Sequence, residues 1–274
     1  MAMHYNGTGW SVVSSADTSS SQINVLYGVA CIAVGDCWAV GYADSGASGT
    51  AQTLTEHYDS SGWSIVTSAN PSTGSAQLNS IACTGDTLCV GVGVANANAA
   101  LAEGWDGMQW TLQTAPTQGG DSWLYGSSCV LSSCWAVGYD TPTTLQALIG
   151  HYDGTSWTAL TVSDPPGAGI SSYLYGVACA DANDCWGVGD SLQSGNPQQT
   201  LAVQYDGTIW FHDQSANVTG DNNRLQAVAC DSSTDCWAVG YHDASSGVSI
   251  DETLIEHYTA QPVTSTPESP WPPR

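Results

Sequence analysis

Lysine is absent from this 274-residue chain, and arginine occurs only at Arg224 and Arg274, against 25 acidic residues. A formal net charge of −23 argues against nucleic acid and anionic membrane as partners, because both are held by basic patches. Without lysine there is no Schiff base to a carbonyl substrate or to PLP. No stretch approaches the roughly 18 apolar residues of a membrane span, so membrane insertion is not expected. His-Glu-x-x-His, Gly-x-Ser-x-Gly, a phosphate loop and a dinucleotide fingerprint are also missing. A signal peptide is lacking too: Met1-Ala2-Met3 runs straight into a strand-like segment. The expectation is a secreted or cell-surface chain whose export signal has been removed. Charged residues make up only 10% of the sequence, so the surface is rich in Ser, Thr, Gly and Asn rather than saturated with acid. Such a surface suits an acidic exterior, where protonated carboxylates bring the net charge towards zero.

What is present begins with ten cysteines in five close pairs: Cys31/Cys37, Cys83/Cys89, Cys129/Cys134, Cys179/Cys185 and Cys230/Cys236. Local pairs in even number read as a disulfide framework and an oxidising compartment. Zinc is the competing reading. It needs four converging ligands, whereas each of these pairs sits in a different part of the chain.

The pairs mark an internal repeat. Leu26-Tyr27-Gly28-Val29-Ala30-Cys31 leads to Asp36-Cys37-Trp38-Ala39-Val40-Gly41-Tyr42, then to Thr53-Leu54-Thr55-Glu56-His57-Tyr58-Asp59 and Gly62-Trp63-Ser64-Ile65-Val66. First cysteines recur 52, 46, 50 and 51 residues apart, and Trp10, Trp63, Trp110, Trp157 and Trp210 recur 53, 47, 47 and 53 apart. Five units of about 50 residues, each with four strand-like runs, match the blades of an all-β five-bladed β-propeller. In Trp38-Ala39-Val40-Gly41-Tyr42 the alternation puts bulky residues on one side and small ones on the other, so successive sheets pack closely. Trp135–Tyr139 and Trp237–Tyr241 repeat it. The second unit, Leu88-Cys89-Val90-Gly91-Val92, departs most, and its blade is expected to be the loosest packed. Asn6-Gly7, Asp106-Gly107, Asp153-Gly154 and Asp206-Gly207 supply the positive φ angles of two-residue hairpins. Each cysteine pair brackets the first hairpin of its blade, giving one disulfide hairpin per blade, with the bridge at the hairpin's mouth.

The chain ends are displaced against the repeat. It opens with His4-Tyr5-Asn6-Gly7-Thr8-Gly9-Trp10-Ser11-Val12-Val13, the last part of a unit, and its final unit stops at Thr253-Leu254-Ile255-Glu256-His257-Tyr258. The expectation is therefore one domain over residues 1–261, with repeats starting near 24, 78, 124, 174 and 225. Residues 1–18 would form a closing strand that completes the last four-stranded antiparallel blade. Residues 262–274, rich in Pro, Ser and Thr, read as an extended linker or tail.

The phrases GVAC, DCWAVGY and TLIEHYDGTxW resemble a repeat of exported bacterial proteins, mostly uncharacterised. That resemblance covers nearly all of the chain up to Gln261; it implies a propeller in an extracellular setting and brings no catalytic residues. The Asp-Gly-x-x-Trp turns also resemble the Asp-box of sialidase-type propellers, without its leading Ser and full spacing. Sialidases hold a carboxylate with three arginines, so Arg224 alone within the repeats excludes that activity.

Variable loops on a rigid scaffold are where function usually sits. In a propeller the long, unequal loops share one face, and Tyr42, Asp44, Tyr139, Asp140, Asp190, Tyr241, His242 and Asp243 are expected at or near its rim, flanked by Trp123 and Tyr173. Aromatic platforms beside carboxylates suit sugar rings and their hydroxyls. Against this, Tyr also serves to cap a strand and loop acids serve as solubilisers. His57, His151 and His257 share a repeat position and read as hydrogen-bonded sheet residues; Glu56, Glu103 and Glu256 share another and read as structural. Only His242, expected in a loop, has a setting for metal or acid–base work. No cofactor is expected. Calcium alone stays open, given Asp243, Asp251 and Glu252, although no compact calcium loop is present.

The function expected is a secreted, monomeric, non-enzymatic binding or adhesion module with a glycan or protein ligand, lectin-like, using similar weak sites on several blades for avidity. Two alternatives remain open. One is a carboxylate-based glycoside hydrolase, which needs an acid pair roughly 5–9 Å apart; the other is a structural cell-surface domain with no small ligand.

Overall fold

The computed structural model describes residues 2–19, 21–44, 49–96, 98–162, 170–244 and 251–259; the tail 262–274 lies outside them. Every regular element in the described residues is a β-strand, and no helix there is long and apolar enough to cross a membrane. The chain opens with a hairpin of β1 (Ala2–Tyr5) and β2 (Trp10–Val13). Five antiparallel meanders follow. The first sheet is β3 (Asn24–Ala33), β4 (Asp36–Asp44), β5 (Ala51–Asp59) and β6 (Gly62–Val66). The second is β7 (Ala76–Cys83), β8 (Cys89–Ala95), β9 (Ala99–Trp105) and β10 (Trp110–Gln113). The third is β11 (Ser122–Val130), β12 (Ser133–Asp140), β13 (Gln146–Tyr152) and β14 (Trp157–Thr161). The fourth is β15 (Ile170–Asp181), β16 (Asp184–Gln193), β17 (Gln199–Tyr205) and β18 (Trp210–Asp213). The fifth has three strands, β19 (Asp221–Ser232), β20 (Asp235–Ala244) and β21 (Asp251–Thr259).

The expected closing strand is paired differently. Within the described residues β2 is hydrogen-bonded to β1, with Tyr5 opposite Trp10, and not to β21. The reason lies in the repeat: Met3-His4-Tyr5 copies the end of a third strand, and the Asn6-Gly7 turn folds it straight back onto β2. Asn6 Oδ1 accepts from the amides of Thr8 and Gly9, and Asp106, Asp153 and Asp206 make the same paired contacts in their own turns. In all four turns only the glycine takes positive φ. The preceding Asn or Asp acts as an acceptor for turn amides rather than as a second left-handed residue.

The core lies between sheets. Trp38 and Val40 pack on Leu78, Ile81, Leu101 and Trp110 of the second sheet, and Trp135, Val137 and Ile149 pack on Leu174, Val177 and Leu201 of the fourth.

All five expected disulfides form: Cys31–Cys37, Cys83–Cys89, Cys129–Cys134, Cys179–Cys185 and Cys230–Cys236. Each joins directly opposed residues of the first two strands of a sheet. They place the chain in an oxidising compartment. They sit at the turn end of the first hairpin as expected, and the burial of Cys185 adds what the spacing did not indicate. Cys185 is fully buried and belongs to the core between the third and fourth sheets, with Trp135, Val177 and Leu201. Cys89, Cys134 and Cys236 are buried in the same strand position, whereas Cys179 and Cys230 stay half-buried and Cys31 is exposed. The cause is the order of strands. The second cysteine opens an inner strand flanked on both sides, as Cys185 is by Cys179 and Tyr205, so its sulfur packs as an apolar core atom.

The second sheet is not the loosest: every residue of β8 is buried. Its small Val/Gly strand is covered on both sides, and Trp105 and Trp110 supply bulk to the first sheet. Exposure is set by position in the series instead. Trp38 is 3% exposed, whereas Trp237, its counterpart in the last sheet, is 48% exposed.

Glu56, Glu103 and Glu256 hold the segments that enter their sheets. Glu103 accepts from Ser68 Oγ at 3.0 Å and Ala69 N at 3.1 Å, Glu256 from Ser215 Oγ at 2.9 Å and Ala216 N at 3.1 Å, and Glu56 from Ala16 N at 3.0 Å. Gly150 stands in this place in the third sheet, where an added Cβ would meet Pro116 Cγ at 2.3 Å. Proline brings no amide hydrogen, so the acceptor has no task there.

Candidate functional site

One irregularity, present in all five sheets, builds the site. The pairing of first and second strands shifts register between Leu26 and Gly28, Leu78 and Ser80, Leu124 and Gly126, Leu174 and Gly176, and Leu225 and Ala227. Each shift leaves one extra residue on the first strand: Tyr27, Asn79, Tyr125, Tyr175 or Gln226. A bulge of this kind re-aims a side chain. Two residues earlier on the same strands stand Val25, Gln77, Trp123, Tyr173 and Arg224. Their carbonyl oxygens come so close to Gly41, Gly93, Gly138, Gly189 and Gly240 that an added Cβ would lie within 1.8–2.0 Å. The glycine of each Trp-x-Val-Gly motif is therefore required by the bulge, which the motif alone does not reveal.

In the third, fourth and fifth sheets these two ranks become one aromatic row. Trp123 and Tyr139 lie opposite each other and stack at 6.5 Å and 16°. Tyr139 meets Tyr173 edge-on at 5.3 Å, and Tyr173 lies parallel to Tyr175 at 6.1 Å. Tyr125 bridges back, 5.2 Å from Tyr175 and 6.1 Å from Tyr139. Every ring in the row is half-buried. Burial is the first cause that raises the Tyr139, Tyr173 and Tyr175 hydroxyls above their ordinary pKa, and it pushes Tyr125 up to about 12. These hydroxyls stay protonated and neutral; that of Tyr175 hydrogen-bonds to Asp190, and those of Tyr125, Tyr139 and Tyr173 each carry one hydrogen to donate.

The row ends at Arg224. Its guanidinium carbon lies 4.9 Å from the Tyr175 centroid and 5.8 Å from that of Tyr241. Nε donates to Asp190 Oδ2 at 2.6 Å across the boundary between the fourth and fifth sheets. Asp190 has no exposed side chain, and burial raises its pKa despite Arg224 beside it. Burial also works against the charge of Arg224, but Asp190 and the two tyrosines outweigh it and hold its pKa above the ordinary value.

Of the residues expected at the rim, Trp123, Tyr139, Tyr173, Asp190 and Tyr241 are brought together. Tyr125, Tyr175 and Arg224 complete the group and were not read from the sequence; the bulge that aims the two tyrosines has no signature in a single strand. Tyr42 lies away from the row, in the first sheet, 6.0 Å from Tyr27. Asp140 is buried, not at a rim: it accepts from Thr117 Oγ1, Gln118 N and Gly120 N, fixing the segment before β11. Asp44 is half-buried at the end of β4, its amide bonded to Ile23 O. His242 lies within β20 rather than in a loop, with Nδ1 3.0 Å from Asp221 and Nε2 3.8 Å from Glu252, and Asp243 accepts from Asn222. Among the described residues no three His, Cys, Asp or Glu converge as a metal site. The second sheet has Gln77, Asn79 and Val94 at the corresponding places, so the described residues form one composite aromatic row rather than equal sites on several sheets.

A groove of about 760 Å³ at the end of the fourth sheet is lined by Gln199, His212, Asp213 and Asn217 and by Ile170. Its lining includes no residue of the aromatic row.

No family model matches the chain, and no curated protein matches it. Among solved structures it is similar to one described as YCF48 bound to D1 peptide, at 13% identity and a TM-score of 0.48. The match covers 88% of this chain and 72% of that one.

Proposed function

We propose that the five sheets close into a five-bladed β-propeller outside the cell, and that it is a non-enzymatic module binding carbohydrate at the Trp123–Arg224 row. Closure is supported by matching unfinished surfaces. The fifth sheet lacks a fourth strand and leaves Trp237, Val239 and Ile255 exposed, while the first sheet leaves Tyr27 and Val29 exposed. In the closed ring β2 leaves β1 and pairs with β21, whose Glu256-His257-Tyr258 ends as Met3-His4-Tyr5 does.

The observation that carries the binding role is the row itself: half-buried rings from the third and fourth sheets, ending at Arg224 of the fifth, with neutral hydroxyl donors on Tyr125, Tyr139 and Tyr173. Sugar rings present apolar faces to stack on such rings and hydroxyls to bond to such donors. Binding is favoured over hydrolysis because the buried acids beside the row are engaged, Asp190 by Arg224 and Asp140 by backbone amides, while the exposed Asp121 near Tyr139 accepts from Asn98.

The test is a broad glycan array, run with calcium and again with a chelator, on the wild type and on Trp123→Ala and Tyr173→Ala. Reproducible binding lost in both variants, with unchanged circular dichroism, supports the reading. A blank in both buffers overturns it.

A further inference from the structure

Arg224 and Asp190 are two coupled departures from the repeat. Arg224 stands where the third and fourth sheets carry Trp123 and Tyr173, and Asp190 stands where the first, third and fifth carry Tyr42, Tyr139 and Tyr241. The two substituted positions face each other across neighbouring sheets and form a 2.6 Å ion pair at the end of the aromatic row. Stability alone is a weak reason for such a pair, since taking both charges out of water offsets most of their attraction.

Resting on the carbohydrate reading above, we propose that Asp190 sets the charge of the ligand. By neutralising Arg224 it makes the guanidinium a hydrogen-bonding fork for adjacent hydroxyls of a neutral sugar, and the site rejects carboxylated sugars. Three observations carry this. Arg224 is the only Lys or Arg among the described residues, in a chain of net charge −23, so no second permanent cation there offsets the charge of a ligand carboxylate. Its Nε edge is committed to Asp190, while 28% of its side chain stays exposed; the two terminal nitrogens of a guanidinium form the remaining flat donor pair. Tyr175 and Tyr241 flank the guanidinium. A ligand carboxylate placed there would face Asp190 through one shared cation, in a surrounding field of the same sign. Asp190 is thus a specificity residue that acts through Arg224.

The test is calorimetric titration with a neutral gluco-oligosaccharide and its uronate counterpart, using wild type, Asp190→Asn, Arg224→Gln and Arg224→Lys. Wild type is expected to favour the neutral sugar by about tenfold or more. Asp190→Asn removes the buried negative charge and is expected to bring the uronate within about threefold of the neutral sugar. Arg224→Gln and Arg224→Lys lose the fork and are expected to weaken the neutral sugar by about tenfold, although Lys keeps the charge. If neither sugar binds wild type while no glycan binds on the array, the carbohydrate reading itself fails. Equal binding of both sugars by wild type, or unchanged selectivity in Asp190→Asn, overturns the charge role and leaves the carbohydrate reading standing. Should Asp190→Asn not fold, neutral-sugar affinity kept in Arg224→Lys overturns the role of the fork.

Discussion

Trp135 of the third sheet meets Trp210 of the fourth edge-on, with ring centroids 5.2 Å apart and planes at 79°. Trp38 meets Trp110 in the same way, at 5.4 Å and 81°. Trp135→Ala is expected to cost about 3–5 kcal/mol, the range for emptying a buried aromatic site. Trp237 is the informative comparison. In a closed ring it packs against Tyr58 and Trp63 of the first sheet, and Trp237→Ala costs a similar amount by chemical denaturation. A cost under about 1 kcal/mol, as for an exposed residue, would falsify ring closure.

Stability should rise as pH falls from neutrality towards the ordinary carboxylate range. Burial raises the carboxyl pKa of Glu56, Glu103, Glu256, Asp184 and Asp190 in the folded protein. Between the unfolded and the folded pKa the native state binds the extra proton. This stabilisation is full below the unfolded value and is lost as pH rises through the folded one. His151, whose pKa burial lowers, opposes the trend from pH 6.5 downward. The exposed turn acids Asp59, Asp106, Asp153 and Asp206 have lowered pKa values, first through hydrogen bonds within their turns, so their contribution fades only as pH falls below about 3.8. Calorimetry at constant ionic strength should give a Tm maximum on the acid side of neutrality, and Glu103→Gln should flatten the slope. A Tm that falls steadily from neutrality towards the carboxylate range would refute this.

Each disulfide closes a loop of only five or six residues along the chain. In the chain-entropy picture such a loop stabilises by about 2 kcal/mol. Replacing Cys31 and Cys37 together by serine, where neither residue is buried, should lower stability by about that amount and leave the far-ultraviolet spectrum unchanged. The same exchange at Cys179 and Cys185 should cost more, because a hydroxyl would replace sulfur in the core beside Trp135 and Val177. Equal costs at the two pairs would show that Cys185 contributes only through its bridge.

Gly138→Ala should be far worse than its size suggests. A Cβ at that place falls 1.8 Å from the Trp123 carbonyl oxygen, so the bulge must open or the strands part. Loss of several kcal/mol together with loss of any binding at Trp123 is expected, roughly the scale of a severe backbone clash. Full retention of stability would show that the pairing there slips by one residue.

The repeat, the four-strand meander of the first four sheets and the five bridges are legible in the sequence because each is a local pattern copied several times. The placement of Trp123, Tyr139, Tyr173 and Asp190 follows from the same copies. The burial of Cys185 is not legible, since spacing identifies its partner Cys179 but not the neighbouring sheet that covers it. Arg224 is not legible as a site residue, since its partner Asp190 lies 34 residues away on another sheet. Nor is the task of Glu103 visible: only the fold brings Ser68 and Ala69 to it, and the exchange of glutamate for Gly150 makes sense only once Pro116 is seen opposite.

The shifted register has one more consequence. At Tyr27, Asn79, Tyr125, Tyr175 and Gln226 the chain carries a residue that its neighbouring strand does not count, so the ladder between those two strands does not depend on which side chain stands there. The scaffold therefore has five replaceable slots, one per sheet. Aromatic, amide or other groups can be exchanged at those slots to alter recognition while the tryptophans, cysteines and glycines that define the sheets stay fixed.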